Sequence, residues 1–310
     1  MFEQFAWQWS DQYVVPNNKP SEQKTKRYIL NASLIPFFGN TPIAKITTHD
    51  IERYKAHAFK QAVSRKTINN RLTVLRKCMT TGYDWLELPG TPPKVVWLKC
   101  PPHAMDYLSP DEYGLLLANA DGVIREMLLT ALRTGMRQGE LKGLQWSSID
   151  WQNRSITVRD SLCDYTKQLG STKGNRACHI PMDIDVYEML SKRKKSTGYV
   201  FLDADYRPFN CFRLSGRLAK VCKKAGLRRI GWHTLRHTFA SHLVMRGVPM
   251  TAVQMLMGHS VITTTMKYAH LAPSTLRSAI DMLNPRTMAG ADFGQPVGNQ
   301  WLETQKKALV

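Results

Sequence analysis

Apolar residues recur at helical spacing through most of the chain. Segment 21–38 carries Tyr28, Ile29 and Leu34 behind a cap-like entry at Ser21–Lys24. Segment 48–62 sets Ile51, Tyr54 and Ala58 on one stripe, with Thr48 or Asp50 as caps. Segment 64–88 predicts a longer helix with Ile68, Leu72, Leu75 and Met79 inward. Prolines at 89, 92, 93, 101 and 102 then break the pattern. Proline removes a donor and disfavours helix at the residue before it, so this stretch predicts a linker. Ser109-Pro110-Asp111-Glu112 reads as a capping box ahead of a Tyr113, Leu116, Leu117 face. A second apolar helix over 123–134 stops at Gly135.

The period then changes. Residues 154–163 and 178–182 alternate like strands, bridged by 171–177 with a Gly174-Asn175 turn signal. Helices are predicted again near 183–194, 211–225, 234–246, 250–257 and 274–283. The pattern therefore predicts a mainly α protein with a small antiparallel β-sheet. No internal repeat is visible, and the Gly-, Gln- and Pro-containing end is expected to be loosely ordered.

Composition narrows the function. A chain of 310 residues suggests roughly two domains. Its 43 Lys+Arg against 24 Asp+Glu give a formal charge of +19, spread over both halves. A small neutral substrate does not call for that excess; a polyanion such as nucleic acid does. Cysteines 78, 100, 163, 178, 211 and 222 form no CxxC pair, which argues for free thiols in a reducing cytoplasm. The first ten residues lack a signal-peptide pattern, and no apolar stretch approaches the ~18 residues of a membrane span.

Residues 233–247 repeat Leu235, Phe239 and Leu243 on one face and place His233, Arg236 and His237 against it. Histidines at i and i+4 can bind a metal; a histidine and an arginine at i and i+3 can grip a phosphate. A zinc hydrolase would need Glu after the first His, and Thr234 stands there. The phosphate reading gains partners elsewhere. Arg137 follows the helix stop at Gly135, with Glu140 placed to brace the turn. His259 follows Gly258, and Ser260 can cap a short helix carrying Tyr268. Lys173 sits at the tip of the predicted hairpin.

In order and context, Arg137 in TGMRQGEL, Lys173 in STKGNR, His233 and Arg236 in HTLRH, His259 in MGHS and Tyr268 in MKYAH resemble the tyrosine recombinases, in their integrase branch. The resemblance covers about residues 110–283 and extends more loosely over the N-terminal part, which looks like a core-binding domain. Two departures stand out: Ser148 where the family often has Asp, and Cys178 where a basic residue is common. Lys173 keeps a spacing of eight before Pro181, which favours it over Lys167 or Arg176.

The resemblance implies a two-domain, C-shaped DNA clamp. Its expected parts are a helical, SAM-like core-binding domain (1–90), a linker (91–107), a catalytic domain (108–285) and a tail (286–310). It implies site-specific recombination through a covalent 3′-phosphotyrosine, without metal or other cofactor. Tyr268 would be the nucleophile, Arg137, Arg236 and His259 the phosphate donors, His233 the proton acceptor and Lys173 the general acid. Glu140 and His237 would support the site, His237 by packing or bonding within its own helix. Arg65, Lys66, Arg71, Arg76 and Lys77 form either a DNA-facing surface or a solvated face. The implied partners are double-stranded DNA with a specific site, further copies forming a tetramer on paired duplexes (the free chain a monomer), and accessory DNA-bending proteins. A cytoplasmic, nucleoid-associated mobile-element integrase is expected. The alternatives are a Xer-like chromosome or plasmid dimer resolvase, a type IB topoisomerase and a catalytically idle DNA-binding protein. The stripe Leu276, Ile280, Leu283 would dock on a neighbour or in its own core.

Overall fold

The computed structural model describes residues 1–101, 105–164, 166–171 and 177–272. Lys173, the predicted helix at 274–283 with its stripe, and the tail from 286 lie outside the described residues.

The first hydrophobic core is built by residues up to Met79. Helix α1 (Phe2–Trp9) buries Phe2, Phe5, Ala6 and Trp9, an i, i+3, i+4, i+7 stripe. It runs on through a wider π-type turn, Ser10–Val14, into α2 (Val15–Asn17). Helix α3 (Pro20–Ile29) starts behind Lys19 with Pro20 in its first turn, so Ser21 lies inside the helix and is not its cap. Tyr28 points to solvent at 69 % exposure, and Leu30 and Leu34 enter the core instead. After α4 (Ile35–Phe38), helix α5 (Thr48–Lys60) is capped by Thr47, one residue before the expected position. The Thr47 hydroxyl accepts from the Asp50 N–H, and the Asp50 carboxylate accepts from the Thr47 N–H. Helix α6 (Arg65–Trp85) buries Ile68, Leu72, Leu75 and Met79 as its period requires.

Parts of the expected linker are fixed to the first core, and the chain just after it to the second. Asn69 on α6 grips Leu98 twice: its Nδ2 donates to the Leu98 carbonyl at 2.9 Å, and its Oδ1 accepts from the Leu98 N–H at 3.0 Å. The buried Lys55 ammonium donates to the Val96 carbonyl, and Arg65 to that of Lys99. On the other side Leu108 is buried in the second core, its N–H donating to Thr238 Oγ1 at 3.0 Å.

The second core gathers α7 (Pro110–Ala118), with its Ser109–Glu112 capping box, and α8 (Gly122–Thr134). The strand predicted over 154–163 is split. Strands β1 (Ile149–Asp150), β2 (Ser155–Val158) and β5 (Cys178–Pro181) form one antiparallel sheet in that order. Strands β3 (Asp160–Leu162) and β4 (Leu169–Ser171) form a separate hairpin. Helix α9 (Gln138–Gly143) lies hard against β3: a Cβ on Gly139 would stand 2.4 Å from Ser161 Oγ. The buried Lys142 of α9 pairs with Asp164 at 2.5 Å. Helices α10 (Ile184–Ser191) and α11 (Cys211–Lys224) add Val186, Leu190, Leu214 and Leu218 to this core. Helix α12 (Trp232–Met245) packs on α8, and with α13 (Met250–Met257) bounds a third, smaller cluster containing Phe239, Val253, Met257 and Tyr268. Helix α14 (Ile262–Thr265) leads into the 3₁₀ turn Met266–Leu271.

Candidate active site

Arg236 ties the site together. It is 4 % exposed, on the buried side of α12. One guanidinium nitrogen donates to the Gly135 carbonyl at 2.6 Å and the other to the Met257 carbonyl. Both acceptors are helix C-terminal carbonyls, of α8 and α13, which lack intrahelical donors and carry the negative end of the helix dipole. Arg137 and His259 stand two residues beyond these two carbonyls. One cation therefore fixes both turns and keeps the rest of its five donors for a ligand. Burial, then the charge of Arg137, lowers its pKa to about 10, so it stays cationic at neutral pH.

Arg137 is held from below by Glu140. The carboxylate accepts from the Arg137 backbone N–H at 2.8 Å and from its guanidinium at 2.7 Å. Glu140 is 5 % exposed, so the pair sets the direction of a guanidinium whose outer edge is open. The turn before it needs glycine. Gly135 has φ +65°, and a Cβ there would lie 2.4 Å from Phe239 Cδ1.

Tyr268 is 2 % exposed, and its hydroxyl lies 2.7 Å from His237 Nδ1. His237 packs against the His233 ring of its own helix, and its hydrogen-bond partner comes from the turn after α14. Burial raises the Tyr268 pKa against the pull of Arg236. Burial, His233 and Arg236 lower that of His237 to about 4, leaving a neutral ring. His233 is exposed one turn earlier, with ring centroids 5.0 Å apart.

His259 shares a cleft of about 450 Å³ with Arg137, Glu140, Arg236 and Cys178. Its Nδ1 lies 2.9 Å from the hydroxyl of the fully buried Thr265. Burial and the two arginines lower its pKa to about 4. Cys178 lines this wall, and burial raises its thiol pKa. The sequence reading missed Thr265; the only signal was a threonine run one turn past His259. Lys173 lies outside the described residues. The five cations of α6 do not share one environment. Arg65 binds the Lys99 carbonyl, Lys77 lies over the Tyr13 ring at 4.7 Å, Lys66 and Arg76 are exposed and Arg71 is half-buried. Among the described residues no group of three His, Cys, Asp or Glu could hold a metal, and no helix is long and apolar enough to cross a membrane.

Two fixed guanidiniums, a neutral imidazole and a buried phenol on a neutral base have the chemistry that attack on a phosphodiester calls for. The pattern of the Phage integrase family matches residues 106–275, and that of its N-terminal SAM-like domain matches residues 1–59. The chain belongs to the phage integrase family of tyrosine recombinases. It is 32 % identical to the integrase of Escherichia phage P2 over 79 % of this chain and 67 % of that one. It is 27 % identical to a XerC-like tyrosine recombinase of Caldanaerobacter subterraneus subsp. tengcongensis over 89 % of this chain and 81 % of that one. The structure superposes on the Tn1549 transposon integrase in complex with transposon right end DNA with TM-score 0.77. That match covers 93 % of this chain and 99 % of the other at 23 % identity, a likeness of fold.

Proposed function

We propose that the chain recombines DNA at a specific site by cutting and rejoining strands through Tyr268. The convergence of Arg137, Arg236 and His259 on one cleft, beside the Tyr268–His237 pair, carries this reading. The phenolic oxygen attacks the scissile phosphorus, the bond to the 5′-oxygen breaks, and a 3′-phosphotyrosyl ester remains. A 5′-hydroxyl from another strand then attacks that ester and frees the phenol. The diester bond energy is conserved, so neither ATP nor a metal enters the balance. The two guanidiniums and His259 stabilise charge on the non-bridging oxygens. His237, in contact with the phenol, takes its proton, and His233 opens the way to solvent. Lys173 protonates the leaving 5′-oxygen. Since Tyr268 is 2 % exposed, its turn shifts when a duplex is bound.

DNA is the partner, with α6 offering Lys66, Arg71 and Arg76 to phosphates. Residues 1–90 act as the core-binding domain and 108–285 as the catalytic one, a division supported by the two separate cores. A tetramer on paired duplexes, accessory DNA-bending proteins and a cytoplasmic location complete the reading. The XerC-like relative favours a second role, dimer resolution, which uses the same chemistry.

The test is a pool of nicked duplexes with a randomised core. The wild type traps a duplex as an SDS-resistant adduct, and Tyr268→Phe binds that duplex without trapping it. A wild type that traps nothing, or a Tyr268→Phe variant that still does, overturns the proposal. Binding weakens steeply with salt as phosphate contacts release counterions.

A further inference from the structure

Thr265 closes α14 with 0 % exposure. Other helical threonines return their hydroxyl to the carbonyl one turn back: Thr25 to Ser21, Thr80 to Arg76, Thr130 to Glu126, Thr238 to Thr234. Thr265 departs from that habit. Among the described residues its hydroxyl has one hydrogen-bond partner, His259 Nδ1 at 2.9 Å. A hydroxyl has one hydrogen to give, and a buried donor without an acceptor is costly. The Thr265 hydroxyl therefore donates and Nδ1 accepts. A neutral imidazole that accepts at Nδ1 carries its hydrogen on Nε2, the opposite side of the ring. The backbone of His259 is held as well: its N–H donates to the Gln254 carbonyl at 3.1 Å, and Gln254 Nε2 donates to the His259 carbonyl at 3.0 Å.

We infer that Thr265 is a positioning residue for strand cleavage: its hydroxyl fixes the Nε2–H tautomer of His259, so the ring offers a neutral N–H donor to a phosphate oxygen in the cleft. This rests on the recombinase reading of that cleft. Arg137 and Arg236 already supply fixed positive charge there, and they disfavour an imidazolium as a third cation. A neutral donor adds a hydrogen bond without that repulsion. The other tautomer would turn a lone pair towards the phosphate oxygen and replace an attraction with a repulsion.

The test uses the full chain in three forms: wild type, Thr265→Val and Thr265→Ser. Imidazole ¹⁵N NMR without DNA reads the His259 tautomer. Adduct formation on the duplex selected by the wild type reads cleavage. The wild type is expected as Nε2–H. Thr265→Val should lose that preference and form adduct about tenfold more slowly or worse, with half-saturating DNA unchanged. Thr265→Ser should keep both wild-type properties. A wild-type Nδ1–H tautomer overturns the inference even if Thr265→Val fails to fold. So does a folded Thr265→Val variant that keeps either the tautomer or the wild-type rate. If the wild type traps no duplex, the recombinase reading fails; the tautomer, measured without DNA, still decides what Thr265 does to His259.

Discussion

The His237 Nδ1 stands 2.7 Å from the Tyr268 hydroxyl, a contact between residues 31 apart in the chain. A general base contributes on the order of 10²–10⁴ in rate. His237→Ala should slow adduct formation by about a hundredfold and leave the DNA dissociation constant within about twofold. A wild-type rate would remove His237 from the proton path and return His233 to it.

The neutral histidines give stability a defined pH dependence. His237 and His259 titrate near about 4 in the fold and near about 6.5 in the unfolded chain. As pH falls through that window the unfolded chain binds protons first. Stability is thus complete above about pH 6.5 and lost progressively towards about pH 4. The urea midpoint should drop between about pH 7.5 and about pH 5, and drop less in a His237→Gln, His259→Gln double variant. An equal drop would show that other groups carry the dependence.

Arg236→Lys keeps the charge and removes the fork. A lysine ammonium is a single point, and the two carbonyls it would have to serve end different helices. Losing one charge-assisted hydrogen bond should cost about 2 kcal/mol in urea unfolding, with the slope m unchanged. Adduct formation should fall further than stability does, because both turns lose their shared tie. A variant of wild-type stability would show that the carbonyls find other donors.

Gly135→Ala joins two penalties, a left-handed backbone at φ +65° and a Cβ placed 2.4 Å from the Phe239 ring. The expected loss is about 2–4 kcal/mol. Phe239→Leu alone should also destabilise, through the space it leaves. Combined, the two should cost less than their sum by about 1 kcal/mol, since the smaller side chain yields to the new methyl. Strict additivity in a urea double-mutant cycle would refute the steric account.

Helical periodicity made much of the fold legible. The α6 stripe from Ile68 to Met79 and the Ser109–Glu112 cap are local patterns, and the structure repeats them. Helix α1 lies in the stretch read for a signal peptide, although its Phe2, Phe5 and Trp9 have helical spacing. Tyr28 misled because aromatic character alone does not say which side of a helix meets the core. The sequence offers Arg137, Arg236, His259 and Tyr268 as a set of residues, but not their contacts. The histidine spacing in HTLRH concerns one helix, but His237 finds its partner on another segment. The carbonyl partners of Arg236 and the hydroxyl beside His259 are likewise products of tertiary packing.

The grip of Asn69 on Leu98 and of Thr238 on Leu108 has a consequence for how the two halves search for DNA. Chain extends at most ~3.3–3.6 Å per residue, so these anchors are at most roughly 35 Å apart. On the proposed reading, in which both halves hold one duplex, the second half meets that duplex within this radius, at an effective concentration in the millimolar range. In the proposed clamp, the short tether makes the second half's contact with a duplex an intramolecular event.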